Sequence, residues 1–243
     1  MVRPVRIGII PARSGSKRLP GKNLAEVGGL SLVYRAVRSA LESNIFDRIV
    51  VSTNDIMVRD QALLAFADDS SRADFILDSR PEDLCLDDTR TTDVIDYVLK
   101  TYCGHVAETA GEAICLLEPT SPFRDGKLIS DTLDKLDGYD SVVTVCQFHF
   151  PPQHGVWLGE SGEVSEFFPE HKLAAGDTRT QAQRPVYHPN GCVYWVGYDH
   201  YLRTRSLFRG RVCGYVMPRD RSVDIDDQTD LDYANFLAAK NGW

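Results

Sequence analysis

Apolar runs that read as strands alternate with stretches of helical period along most of this chain, and that order leaves few folds open. The strand-like runs fall at 5–10, 48–53, 75–77, 113–117, 141–146 and 212–217. They are short, rich in Val and Ile, and mostly apolar on both sides, as in parallel strands covered on two faces. Between them, Leu32, Val33, Ala36, Val37, Ala40 and Leu41 recur at helical spacing, as do Val94, Ile95, Val98, Leu99 and Tyr102. The pattern predicts helices over 31–43 with Ser31 as N-cap, 55–67, about 91–102 with Thr91 or Thr92 as cap, 126–136, and 230–240 with Thr229 as cap. Parallel strands need crossover helices, so the expected fold is a three-layer α/β/α domain with a mostly parallel sheet. With 243 residues and 43% hydrophobic content, residues 1–243 suffice for one such domain.

The first strand runs into a loop, Ile9 to Asn23, that holds Arg13, Lys17, Arg18 and Lys22 without an acid between Pro11 and Ala25. Gly15 and Gly21 tolerate positive φ, so backbone N–H groups there can curl around phosphate oxygens while the cations neutralise them. The alternative is a solvated basic loop. A P-loop is excluded: Gly15 and Gly21 are too far apart, and Asn23 stands where a hydroxyl is required. The dinucleotide pattern is absent as well. The net charge of −8 argues against nucleic acid or an anionic membrane as partner, which leaves a small anionic ligand for the basic loop. Arg3 and Arg6 break up the apolar start, and no run approaches a membrane span, so the expected location is the cytoplasm. The six cysteines lack metal-type spacing and read as reduced core residues.

Asp224 and Asp226 stand two apart, so in an extended segment both carboxylates point the same way. Such a pair suits Mg²⁺, which completes its shell with water and phosphate oxygens; helix N-terminal charge is the alternative.

Several ordered blocks together resemble the CMP-sialic acid synthetase (acylneuraminate cytidylyltransferase) family. They are Ala12-Arg13, Ser16-Lys17, Leu19-Pro20 and Lys22-Asn23; Arg80-Pro81, Leu84 and Asp88-Thr89; the turn Pro119-Thr120-Ser121-Pro122-Phe123-Arg124; Asn190-Gly191 with Tyr194; and Asp224-Ile225-Asp226. The resemblance implies a nucleotidyltransferase that joins CTP to a nonulosonic acid, releasing pyrophosphate. It implies that Arg13, Lys17 and Lys22 do the charge work of catalysis. Ala12, Arg13, Ser16, Lys22, Asn23, Arg80 and Thr92 would bind the nucleotide, and Glu118, Thr120, Ser121, Arg179, Gln181 and Asn190 the sugar. Asp224 and Asp226 would hold Mg²⁺. The hairpin-like turn expected at Asn190-Gly191 also has a plain structural reading. The Arg179-Gln181 pair is out of step with the family by one residue.

Residues 148–184 interrupt the alternation. In relatives an excursion here builds a homodimer, and Val156, Trp157, Leu158, Phe167 and Phe168 fit either an interface or a private mini-core. The family's Gln in the first Pro-containing turn is Glu118 here. That acid is expected to be protonated through burial, to face donor groups of the sugar, or to meet Arg124. Competing readings are a CMP-Kdo synthetase and, from another class, a non-catalytic CTP-binding regulatory module.

Overall fold

The computed structural model describes residues 5–67, 73–103, 111–168, 176 and 184–243. Strands β1 (Val5–Pro11), β4 (Arg48–Thr53), β5 (Asp74–Ser79), β6 (Gly111–Leu116), β7 (Ser141–Gln147), β10 (Tyr187–Gly197) and β11 (Val212–Val216) form one sheet. Their order is β11-β7-β10-β6-β1-β4-β5. All neighbours are parallel except β10, which is antiparallel to both β6 and β7. Two short strands, β2 (Glu26–Val27) and β3 (Leu30–Ser31), pair beside the first helix.

Alternation along the strands assigns the two faces. Ile10 and Val51 point toward helices α1 (Leu32–Ser43), α2 (Ile56–Ala67) and α4 (Gly126–Leu133), while Ile7, Ile9 and Val50 point toward α3 (Thr91–Tyr102) and α5 (Tyr198–Thr204). The three layers follow. Gly8 lies under the Phe46 ring, where an added Cβ would come to 3.2 Å of that ring. Phe46 in turn stacks on the fully buried Trp195. A third cluster, of Leu19, Val27, Leu32, Phe123, Val223, Ile225 and the inner side of α6 (Gln228–Asn241), anchors the loop after β1 to the last helix.

The caps differ in part from expectation. Ser31 caps α1, accepting from Tyr34 N–H at 3.3 Å. At α3 the cap position is Arg90, not a threonine, and Asp93 reaches back to accept the Arg90 N–H. Asp227 rather than Thr229 caps α6, because its carboxylate takes two orphan donors, Thr229 N–H and Asp230 N–H. Helix α4 stops at Leu133, short of 136, as the chain tightens through Lys135 N–H to Thr132 O and Leu136 N–H to Leu133 O.

Asn190-Gly191 is not a hairpin turn. It is an irregularity inside β10, where pairing with β7 shifts register between Pro189 and Tyr194 and Gly191 takes φ 75°. In the 148–184 segment, β8 (Val156–Leu158) and β9 (Val164–Glu166) form a two-stranded ribbon. Trp157 is 60% and Leu158 74% exposed, so although Trp157 and Phe167 touch ring to ring, the ribbon buries no core of its own among the described residues.

Candidate active site

β1 has β4 on one side and β6 on the other, so the connections leaving the carboxyl ends of these strands diverge and open a crevice. The cleft there is walled by three connections. Pro11, Arg13, Ser16, Lys22 and Asn23 come from the loop after β1. Arg80, Leu84, Thr89, Thr91 and Val94 follow β5, and Glu118, Pro119 and Thr120 follow β6. Gly15 and Gly21 both adopt positive φ (79° and 68°), which lets the first loop fold back on itself. Asn23, 8% exposed, closes it with a bond from Nδ2 to Arg13 O at 2.9 Å. A smaller hollow beside it is lined by Ser14, Gly15, Gly21, Asp55 and neighbours.

The cations of this loop meet acids brought from elsewhere. Arg13 and Lys17 pair with Asp87 at 3.0 and 2.5 Å, and Arg18 and Lys22 pair with Asp226 at 2.8 and 3.0 Å. Hydrogen bonds from Lys17 and Arg13 hold the Asp87 carboxyl below its ordinary range. For Asp226, burial works upward, but the Lys22 bond and the charges of Lys22 and Arg18 bring it down on balance. Asp87 was not singled out by sequence reading, although it stands in the polar stretch that precedes α3. Lys17 is 80% exposed and lies outside the lining of the cleft. Ala12 is fully buried in the core and its N–H is spent on Ser52 O, so it supports the loop by position alone.

Arg80 is 5% exposed and lines the cleft, its guanidinium pushed down from its ordinary pKa chiefly by burial. Thr92 stands apart from this wall. α3 begins at Thr91, and the turn of the helix leaves Thr89 and Thr91 lining the cleft while the Thr92 carbonyl accepts from Tyr201.

Glu118 follows β6 and lines the cleft, half-buried. Burial pushes its carboxyl up to about 7, with Asp224 adding to the rise and Arg124, Arg80 and Lys22 opposing it. Arg124 bonds the Glu118 backbone carbonyl at 3.1 Å, not the carboxylate, and also holds Cys192 O and Ser39 Oγ. Of the alternatives read from sequence, a bond from Arg124 to the carboxylate is the one the geometry does not show; burial raises the carboxyl instead. Tyr194 comes to the same place: burial and then Glu118 push its hydroxyl up to about 12.

The segment before α6 is extended, with Val223 and Ile225 buried in the third cluster, so Asp224 and Asp226 emerge on the other side together. Ile225 N–H bonds Thr120 O at 2.9 Å, tying this segment to the turn after β6. Burial raises the Asp224 carboxyl, Asp226 adds to the rise, and a hydrogen bond from Thr120 opposes it. Among the described residues no group of three or more His, Cys, Asp or Glu could hold a metal.

Ser121 and Asn190 are occupied with each other and with the fold. Ser121 is 2% exposed and donates to Asn190 O at 3.3 Å. Asn190 is equally buried; its Nδ2 donates to Ser222 Oγ at 2.9 Å and approaches Met217 Sδ, and its Oδ1 accepts Cys192 N–H. The Nδ2 end of that amide joins β10 to the segment after β11 and the Oδ1 end holds a backbone N–H within β10, so both ends have partners in the fold. Arg179 and Gln181 lie outside the described residues.

The chain is similar to several known proteins. The chain is 32% identical over 96% of its length to an N-acylneuraminate cytidylyltransferase of Escherichia coli, of which it covers 52%. It is 28% identical to a pseudaminic acid cytidylyltransferase of Campylobacter jejuni, with 96% of each chain covered. It thus spans about half the length of the N-acylneuraminate relatives it matches and nearly all of the pseudaminic one. The fold is shared with a solved CMP:2-keto-3-deoxy-manno-octonic acid synthetase complexed with CTP, at TM-score 0.61 and 17% identity over 98% of this chain and 99% of that one. Residues 7–139, from β1 through the cation loop, the turn after β6 and all of α4, match the cytidylyltransferase family, and the chain belongs to it.

Proposed function

We propose that this chain transfers the cytidylyl group of CTP to a nonulosonic acid, giving a CMP-sugar and pyrophosphate. The observation that carries this reading is the cleft itself: Arg13 and Lys22 stand on one wall, Arg80 on another, and the Asp224–Asp226 pair adjoins it. The oxygen of the sugar hydroxyl attacks the α-phosphorus and gives up its proton to solvent, the bond to the bridging oxygen breaks, and pyrophosphate leaves with the electron pair. Such a step depends on positioning and charge neutralisation, which is what Arg13 and Lys22 supply. In this reading the ion pairs to Asp87 and Asp226 are exchanged for pairs to the triphosphate.

The residues fit a magnesium ion. Two carboxylates emerge side by side, and Asp224 is held above its ordinary range partly by Asp226, a repulsion that a cation would relieve. With only these two protein carboxylates, the ion would be shared with substrate phosphates, as Mg²⁺ commonly is. When bound, it would supply Lewis-acid charge at the phosphates.

The nonulosonic class is supported by the names of relatives that act on N-acylneuraminate and pseudaminic acid. The Kdo synthetase is a likeness of fold alone. Glu118, in place of the family's Gln, would present a neutral carboxyl that donates as well as accepts, and so bias the choice among sugar acids. We further propose that the exposed apolar ribbon of β8 and β9 joins two copies as a homodimer, and that the enzyme works in the cytoplasm, where its six free cysteines stay reduced. No helix among the described residues is long and apolar enough to cross a membrane.

The test is pyrophosphate release from CTP and Mg²⁺ across sialic, legionaminic, pseudaminic and Kdo acids. Turnover with a nonulosonic acid and little with Kdo is expected. Turnover with Kdo alone would move the chain to the other branch, and none with any acid would favour the non-catalytic module.

A further inference from the structure

The nucleotide cleft has a wall that is held from behind by a buried acid to which the proposed reaction assigns no task. β4 and β5 run parallel, and their register sets Ser52 opposite Asp78. Period-two alternation places both side chains on the face of Val50 and Ile76, the face that α3 covers. Both residues are fully buried. An acid there demands donors, and Asp78 receives three: Ser52 Oγ at 2.6 Å on Oδ2, and the hydroxyls of Tyr97 at 2.9 Å and Tyr102 at 2.7 Å on Oδ1. Burial, and then the bond to Asp78, push both tyrosine hydroxyls above their ordinary range, so they stay protonated as donors.

A serine hydroxyl has one proton. Ser52 gives it to Asp78, and what remains are lone pairs, which accept from Arg80 Nε at 3.1 Å. The Ser52 carbonyl takes Arg80 Nη2 at 2.7 Å. The guanidinium carries five N–H donors, and these bonds fix its plane while leaving others for whatever fills the cleft that Arg80 lines. Asp78 thereby decides the direction of the Ser52 hydroxyl, and with it whether Arg80 meets an acceptor or a competing donor. The same acid reaches α3 through Tyr97 and Tyr102, and the first turn of that helix lines the cleft through Thr91 and Val94.

We propose that Asp78 is a positioning residue for the nucleotide: through Ser52 it locks the Arg80 guanidinium in the CTP cleft, and through Tyr97 and Tyr102 it ties that guanidinium to α3. A purely structural polar cluster would be indifferent to ligand, whereas this one ends on a cleft-lining cation, and ordering a long side chain before binding lowers the cost of binding. The inference rests on the reading that this cleft takes CTP.

The experiment is calorimetric titration of the full chain with CTP and Mg²⁺, together with steady-state kinetics and melting temperatures, for the native protein, Asp78→Asn, Ser52→Ala and Ser52→Thr. Asp78→Asn keeps the shape but brings an amide donor toward Ser52, which turns the hydroxyl proton toward Arg80. Its Kd and KM for CTP are expected to rise on the order of tenfold, the loss of one hydrogen bond to a charged group. KM for the sugar acid and kcat at saturating CTP are expected to stay within about threefold. Ser52→Ala should follow Asp78→Asn, and Ser52→Thr, which restores the hydroxyl, should recover most of the CTP affinity. Absence of CTP binding by the native protein would sink the cytidylyltransferase reading itself. Native binding with equally tight binding by Asp78→Asn and Ser52→Ala would overturn this inference alone. So would a parallel loss of all constants with melting temperature that Ser52→Thr does not rescue, for that is the mark of a structural role only.

Discussion

The loop after β1 and the irregularity in β10 both carry residues by which the chain resembles its family, yet they put those residues to opposite uses. In the loop, Arg13, Ser16 and Lys22 line the open cleft. In β10, Asn190 turns its amide inward to Ser222, Met217 and the Cys192 N–H and is 2% exposed. Both regions need a glycine at positive φ, Gly21 and Gly191, so backbone geometry does not tell them apart. What does is the company of the polar group. A cation can be held at a cleft by an acid that a ligand displaces, whereas a neutral amide among buried atoms must satisfy itself within the fold.

The sharpest way to break this contrast is at Lys22, whose side chain is only 17% exposed and whose partner is Asp226 at 3.0 Å. Lys22→Ala removes charge where the triphosphate is proposed to sit, and Arg18 still holds Asp226. Loss of one such contact in a dry site is worth about 3 kcal/mol in the transition state, or on the order of 10²-fold in kcat/KM. The melting temperature should move little. A well-folded variant with near-native turnover would remove Lys22 from the chemistry.

The opposite result is expected at Asn190. Asn190→Ala leaves the Ser222 hydroxyl and the Cys192 N–H without this partner, a cost of roughly 1–3 kcal/mol in stability. At about 2–4 °C per kcal/mol for a chain of this size, the loss is readable as a lowered melting temperature. Below that temperature, KM for the sugar acid should stay within about threefold of native. An unchanged melting temperature with a large rise in that KM would put the Asn190 amide on the sugar after all.

The sequence made the scaffold legible for a physical reason. Strands covered on both faces write themselves as continuous Val- and Ile-rich runs, as 48–53 does, and α1 carries its apolar side at clear helical spacing under a Ser cap. The cation loop was legible because charges that lack nearby acids need a partner. Which partner was not: Lys22 meets an acid 204 positions away and Arg13 one 74 positions away. Local periodicity carries no information about such contacts. The antiparallel course of β10 was hidden likewise, because Asn-Gly within an extended run reads as a turn until its neighbours in the sheet are known. Thr92 and Thr91 are adjacent in sequence, and only the start of α3 decides which of them lines the cleft.

Glu118 lies between the two cases, since it stands on the cleft like Lys22 yet behaves in part like a buried group. Burial first, and Asp224 second, raise its carboxyl to about 7, well above the ~4.3 of an unfolded chain. Between those values the folded state binds more protons than the unfolded one, so stability is greatest at low pH and is lost as pH rises toward 7 and beyond. The full shift would correspond to several kcal/mol, but Glu118 is only half-buried at the edge of an open cleft, where water screens its charge, so about 1 kcal/mol is the expected share. Glu118→Gln keeps the shape and cannot ionise. Its melting temperature relative to native should therefore climb between pH 5 and pH 8 by about 2–4 °C. Asp224→Asn, which removes the second cause of the rise, should shrink the native pH dependence without abolishing it. If Glu118→Gln and the native protein keep a constant gap across that range, the Glu118 carboxyl is ionised throughout, and its place in the sugar pocket would be that of an acceptor only.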